Sequence, residues 1–196
     1  MPEIVDNSGL PPCAHLDSSR RAIALVGFMG AGKTTVGQAL AERLGWRFAD
    51  LDQLVEARRG SSIREIFRLE GEKIFRHLEY SVLSDTIGLT GSDRIVLALG
   101  GGAFAAEKVR AVLQAALVPA VWLDAPLEEL YQRCDQAGVV RPLRTSLEEF
   151  RQLYDQRRPF YEKAALRVST AGKDVAAIVE EIIFGLEVIS DRGVAE

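Results

Sequence analysis

Residues 22–35 read "AIALVGFMGAGKTT", an apolar run that opens into a turn with almost nothing to bury. Of the nine residues Gly27–Thr35, seven are Gly, Ala, Lys or Thr. A simple turn needs one glycine or two, so three glycines with a lysine and two threonines require another reason. Gly27-Phe28-Met29-Gly30-Ala31-Gly32-Lys33-Thr34 fits G-x-x-x-x-G-K-[ST] between a strand pattern and a helix pattern. Small residues let backbone N–H groups converge on a polyphosphate. The helix that begins at the lysine adds the positive end of its dipole at the same point. This assigns Gly30, Ala31, Gly32, Lys33, Thr34 and Thr35 to a nucleoside-triphosphate cradle, with Lys33 reaching the β- and γ-phosphates. The Thr34 hydroxyl is the expected magnesium ligand.

Outward from that loop, short apolar runs alternate with helical patterns. "AIALVGF", "WRFADLD", "RIVLALGGG", "AVWLDAP" and "LRVST" read as strands. Between them, "TTVGQALAERLG" sets Val36, Ala39, Leu40 and Leu44 on one helical face and stops at Gly45. Ser62 and Glu65 have capping-box spacing and open a short helix ending near Gly71, with a second helix from about Glu72. Pro159 interrupts the pattern of residues 146–165, which reads as one long helix or a kinked pair. "VAAIVEEIIFGLEVI" closes the chain as a helix. Continuous apolar strands alternating with helices imply one α/β domain with a parallel sheet covered on both faces.

The chain has 196 residues, enough for one domain with a sizeable core. A net charge of −4 argues against a nucleic-acid or anionic-membrane partner, which would select a basic face. The two cysteines, Cys13 and Cys134, form neither a CxxC nor a metal-ligand pattern, as expected for a reducing compartment. Residues 1–20 carry Glu3, Asp6 and Asp17 and no apolar core of signal-peptide length, and no stretch approaches a membrane span. The expected location is cytoplasmic.

A phosphate cradle does not by itself separate a switch from an enzyme. No N-K-x-D sequence for guanine exists in the chain, and the D-x-x-G sequences at Asp85 and Asp135 fall off any suitable strand end. The strand "IVLAL" runs into Gly100 where many such ATPases carry a metal-orienting aspartate, so another carboxylate must serve. Asp50 and Asp52, two apart on an extended segment, point to one face at the carboxyl end of a strand. One can hold water on magnesium while the other accepts a proton from a substrate hydroxyl. Asp52 taken alone could instead cap the helix that follows.

Gly27–Thr34, "DLDQLVE", "IFRLEGEKIFRHLE", "LGGGAF", "RPL" and "RRPFYEKAA" occur in the order and rough spacing of shikimate kinases, a family this chain resembles over about residues 22–185. The resemblance implies a three-layer P-loop fold of the nucleoside-monophosphate-kinase type, its five parallel strands ordered 2-3-1-4-5, with a short lid. It implies transfer of the ATP γ-phosphate to the 3-hydroxyl of shikimate, with Mg2+, on the route to chorismate and aromatic amino acids. Arg76 and Arg157 would fork the substrate carboxylate, a role that suits planar guanidinium donors. Glu79, three residues from Arg76 on a helix, could orient it. Gly100, Gly101 and Gly102 would let backbone amides approach the ring hydroxyls, and Phe75 would wall the pocket or pack in the core. Asp52 would be the base, Asp50 would hold magnesium through water, and Arg141 would close from the lid onto the transferring phosphate.

The same resemblance divides the chain into an N-terminal extension (1–20) and a single kinase domain (21–190). Within the domain it places a lid at about 134–148 and substrate-binding helices at about 52–87. Arg144 stands where the family usually has leucine, and the segment from Cys134 to Val140 is a residue or two longer than usual. The resemblance also makes Arg133 a candidate for stacking on adenine, at a spacing shifted from the usual one. The expected partners are ATP and shikimate, bound by a monomer, without nucleic acid or membrane. A gluconate or nucleoside-monophosphate kinase on the same fold is the alternative, as is a nucleotide-binding regulatory protein without catalysis.

Overall fold

Strand β1 (Ala22–Val26) is buried at every residue, as its unbroken apolar run requires. The computed structural model, which describes residues 20–89, 93–136 and 146–193, places it at the centre of a five-stranded parallel sheet. The order is β2-β3-β1-β4-β5, with β2 Arg47–Asp50, β3 Ile95–Ala98, β4 Ala120–Asp124 and β5 Leu166–Ser169. Registers run Ala24 to Leu97, Ala49 to Leu97, Leu25 to Val121 and Leu123 to Val168. The expected sheet and its order are both observed.

Handedness distributes the helices. From β1 the chain crosses to β2 in one direction, and every later crossover runs in the other. Right-handed connections therefore place α1 (Lys33–Leu44) on one face. They place α2 (Leu51–Arg59), α3 (Ile63–Gly88), α4 (Glu107–Ala115), α5 (Leu127–Gln136) and α6 (Leu147–Tyr161) on the opposite face. The closing helix α7 (Val175–Gly193) returns to pack beside α1. Gly37 permits α1 to lie close on the sheet, since a Cβ there would stand 2.5 Å from the Phe48 ring.

Local signals set the ends of these elements. Helix α1 stops at Gly45 in the left-handed region, and α3 opens on the Ser62–Glu65 capping box. Gly71 (φ 81°, ψ 170°) breaks α3 into the two helices expected there. Helix α6 continues through Pro159 to Tyr161 as a single helix. Asp50 and Asp52 depart from expectation: the strand ends at Asp50, and Asp52 lies in the first turn of α2. Asp50 rather than Asp52 is the N-cap, its Oδ1 accepting from the Asp52 N–H at 3.0 Å. Strand alternation is therefore not what brings the two carboxylates together; the cap does so.

Candidate active site

All the loops that follow β-strands open at the carboxyl edge of the sheet, and the loop after β1 is built to receive an anion. Gly30 and Gly32 adopt φ of 80° and 84°, which lets the backbone fold around a central space. Gly32 caps α1 without a side chain, and no acidic residue stands in the first turn of that helix. The first turn of the helix thus places no carboxylate of its own over the dipole end. Lys33 Nζ donates to the carbonyls of Gly27 (2.9 Å) and Phe28 (3.0 Å), so its ammonium is already folded over the loop. Phe28 is buried and packs edge-to-face on Phe150 and Tyr154 of α6, at 4.9 and 5.4 Å between centroids. That packing fixes α6 against the phosphate loop.

Thr34 and Asp50 meet beside the loop, with Thr34 Oγ1 donating to Asp50 Oδ2 at 3.0 Å. One hydroxyl and one carboxylate, with no cluster of three acidic, His or Cys ligands among the described residues, form a donor set suited to magnesium completed by phosphate and water. A cavity of about 170 Å³ joins this corner to Gly30, Gly32, Lys33, Thr35 and Asp52.

A second cavity, also about 170 Å³, adjoins the first, and Met29, Asp52, Gly100 and Gly101 line both. Its far wall holds Arg76, Glu79 and Arg157, with Phe67 and Phe75 as an apolar side. The three glycines after β3 leave these side chains their places. A Cβ at Gly100 would stand 2.5 Å from Asp52 Oδ1, at Gly101 3.2 Å from Arg157 Nη1, and at Gly102 2.5 Å from Arg76 Nη2. Backbone and functional groups therefore share one small volume, and any side chain at those positions would displace them. Phe75 is buried and also lines the cavity, with the Arg76 guanidinium over its ring at 5.1 Å.

The two arginines differ electrostatically. Arg76 Nη1 donates to Glu79 Oε2 at 2.9 Å, and Glu72 contacts it at 3.3 Å. Arg157 lies over the Phe28 ring at 5.7 Å and interacts with the Tyr161 hydroxyl. Burial lowers the Arg157 guanidinium from its ordinary value; Tyr161 opposes that shift and the nearby Arg76 adds to it. An anion between the two guanidinia would relieve both effects. Glu79 is 1% exposed, and its Oε1 has no hydrogen-bond partner among the described residues. Burial pushes its carboxyl above the ordinary range; Arg76 pulls it back and Asp52 adds to the rise.

Arg76, Arg157, Asp52 and Gly100–Gly102 thus converge on one cavity, and Lys33, Thr34 and Asp50 on the other. Arg141 and Arg144 lie outside the described residues. Arg133 is committed to protein partners: it donates to Thr170 Oγ1 (2.9 Å), to Thr170 O (3.0 Å) and to Gly30 O (3.4 Å). Met29, Phe67 and Tyr161 stand within the quoted motifs, but the sequence assigns none of them a role of its own. Tyr161 is buried, stacks on Trp122 and donates its hydroxyl to the Gly101 carbonyl.

The shikimate kinase family model matches residues 29–187 of the chain. Shikimate kinase of Persephonella marina is 42% identical over 164 residues, covering 83% of this chain and 97% of that protein. Shikimate kinase of Geobacter sulfurreducens is 44% identical over 169 residues, covering 84% and 90%. Among solved structures, shikimate kinase from Acinetobacter baumannii in complex with shikimate has a TM-score of 0.78 at 33% identity, covering 89% of this chain and 96% of that one. A gluconokinase from Sinorhizobium meliloti, at TM-score 0.58 and 20% identity over 88% and 94%, shares the fold.

Proposed function

The chain belongs to the shikimate kinase family, and from that premise we propose that it transfers the γ-phosphate of ATP to the 3-hydroxyl of shikimate, giving shikimate 3-phosphate and ADP. One observation supports this above the rest: a phosphate cradle and an arginine-lined cavity share Asp52, Gly100 and Gly101 at their junction. A hydroxyl acceptor held by its carboxylate at Arg76 and Arg157 would present its reacting oxygen at that junction. Asp52 there accepts the hydroxyl proton as the new P–O bond forms and the bond to ADP breaks. The backbone amides of Gly100–Gly102 orient the ring hydroxyls. Gly30–Gly32, Lys33, Thr34 and Thr35 hold the nucleotide phosphates, and Lys33 exchanges its two carbonyl partners for β- and γ-oxygens. Thr34 and Asp50 would hold Mg2+, which supplies neutralisation of the phosphate charge. Arg141 closes from the lid onto the transferring group and excludes water.

Residues 21–190 form the kinase domain, with the lid at about 134–148, the substrate-binding helices at about 52–87 and an extension at 1–20. The protein acts on small molecules as a monomer in the cytoplasm, on the way to chorismate and aromatic amino acids. No described helix is long and apolar enough to cross a membrane. ADP release measured with ATP and Mg2+ against shikimate, gluconate and nucleoside monophosphates tests the acceptor. Turnover should require shikimate; equal or faster turnover of gluconate or a nucleotide overturns the proposal.

A further inference from the structure

The turn after β3 has a property that its three glycines alone leave undetermined. The Ala103 N–H donates to the Gly100 carbonyl at 3.0 Å, so Gly100–Ala103 is a β-turn whose central peptide joins Gly101 to Gly102. Gly102 has φ −107° and ψ −12°, and Gly101 is not among the glycines of positive φ, which is the type I arrangement. With glycine at both central positions, the peptide can rotate to type II, which needs only a positive φ at Gly102. In a trans peptide the carbonyl and the following N–H point in opposite directions. Such a flip would exchange the Gly102 N–H for the Gly101 oxygen on the cavity side. An anionic acceptor would then meet a carbonyl where it should meet a donor.

We infer that Tyr161 is a positioning residue that locks this peptide, holding the Gly101 carbonyl toward the core so that the Gly102 N–H faces the acceptor cavity. The inference rests on the shikimate reading of that cavity. The Tyr161 hydroxyl donates to the Gly101 oxygen, and its ring is buried and stacked on Trp122 at 6.0 Å, so the donor is itself immobile. The same hydroxyl interacts with the Arg157 guanidinium, and a Cβ at Gly101 would lie 3.2 Å from Arg157 Nη1 and 3.8 Å from the hydroxyl. A cationic neighbour polarises the phenol and strengthens its donation to the carbonyl. One buried oxygen thus sets both the direction of a backbone amide and the place of a guanidinium.

Tyr161→Phe keeps the ring and its stacking and removes only the oxygen. The KM for shikimate should rise roughly tenfold or more, the scale of a lost hydrogen bond coupled to a charged group. The KM for ATP and the melting temperature should stay near wild type. By NMR, the short amide–amide distance between Gly101 and Gly102, which marks type I, should give way to the short Hα–amide distance of type II. A wild-type KM for shikimate together with an unchanged type I pattern overturns the inference. Equal losses on shikimate, ATP and thermal stability also overturn it, since they describe general support of the fold. Should wild-type protein not phosphorylate shikimate, the acceptor reading falls by itself, while the NMR pattern in Tyr161→Phe still decides whether the hydroxyl holds the turn.

Discussion

Arg76 and Arg157 should fail in different ways when truncated, because Arg76 is bonded directly to the buried acid Glu79 whereas Arg157 acts on it only through space. Arg76→Ala removes a ligand partner and also strips Glu79 of the guanidinium that bonds its Oε2, in a carboxyl whose Oε1 already lacks a partner among the described residues. Removing one side of a buried charge pair costs about 3–5 kcal/mol. The Arg76 side chain is 24% exposed, which discounts the cost to the bottom of that range or just below it, about 2–3 kcal/mol. At roughly 2–4 °C per kcal/mol for a domain of this size, the melting temperature should fall by about 4–12 °C. Arg157→Ala should leave the melting temperature within a few degrees, since that residue contacts an aromatic ring and a phenol. On shikimate both variants should lose about 30-fold or more in kcat/KM, the low end of truncating a charge-assisted pair. Both losses should largely vanish for an analogue whose carboxylate is replaced by a neutral hydroxymethyl group. Arg76→Ala/Glu79→Gln should recover stability and not binding. Steady-state kinetics on both acceptors and thermal melts of the four proteins decide it. Equal fold-losses on acid and neutral acceptors, or a double variant no more stable than Arg76→Ala, would refute the reasoning.

The same acid carries a pH signature. Burial raises the Glu79 carboxyl in the folded state, so its favourable contribution is complete below the unfolded pKa and is lost as pH rises through the folded one. Unfolding free energies of Arg76→Ala should therefore drop more steeply than wild type from about pH 4 toward neutrality, and Glu79→Gln should abolish the difference. Lys33→Ala should abolish turnover while the melting temperature holds, since the ammonium bonds two loop carbonyls at a half-buried site and supports no core; near-normal turnover would remove the cradle from catalysis. Asp52→Asn should lower kcat by about 10²-fold or more with ATP binding retained, as for a lost general base. Asp50→Asn should instead raise the magnesium concentration required, and identical modest magnesium effects in both variants would contradict the division of labour.

What could be read from the residues follows the range of the interactions concerned. The sheet, its helices and the phosphate loop were legible because strand burial, helical periodicity and a glycine-lysine turn are local. The Arg76–Glu79 pairing was legible for the same reason, being one helical turn long. Asp50 and Asp52 stand on an argument that the fold replaces: they are neighbours across a helix cap, not alternate positions of one strand. Tyr161 stands within "RRPFYEKAA", yet its role could not be read this way. Its meaning depends on Gly101, sixty residues away, reached only after β3 and α6 are brought together on one side of the sheet. The orphaned oxygen of Glu79 was hidden likewise, since a spacing of three announces a partner and says nothing of the depth at which the pair lies. The glycines at 100–102 fall between these cases. Their flexibility was evident in the sequence, whereas the fold adds that each faces a functional side chain that a methyl group would push out of place. A turn chosen for clearance on every side has given up the side chains that would restrain it. Its conformation must then come from a neighbour, and in this protein the buried phenol is the group in contact with the central carbonyl.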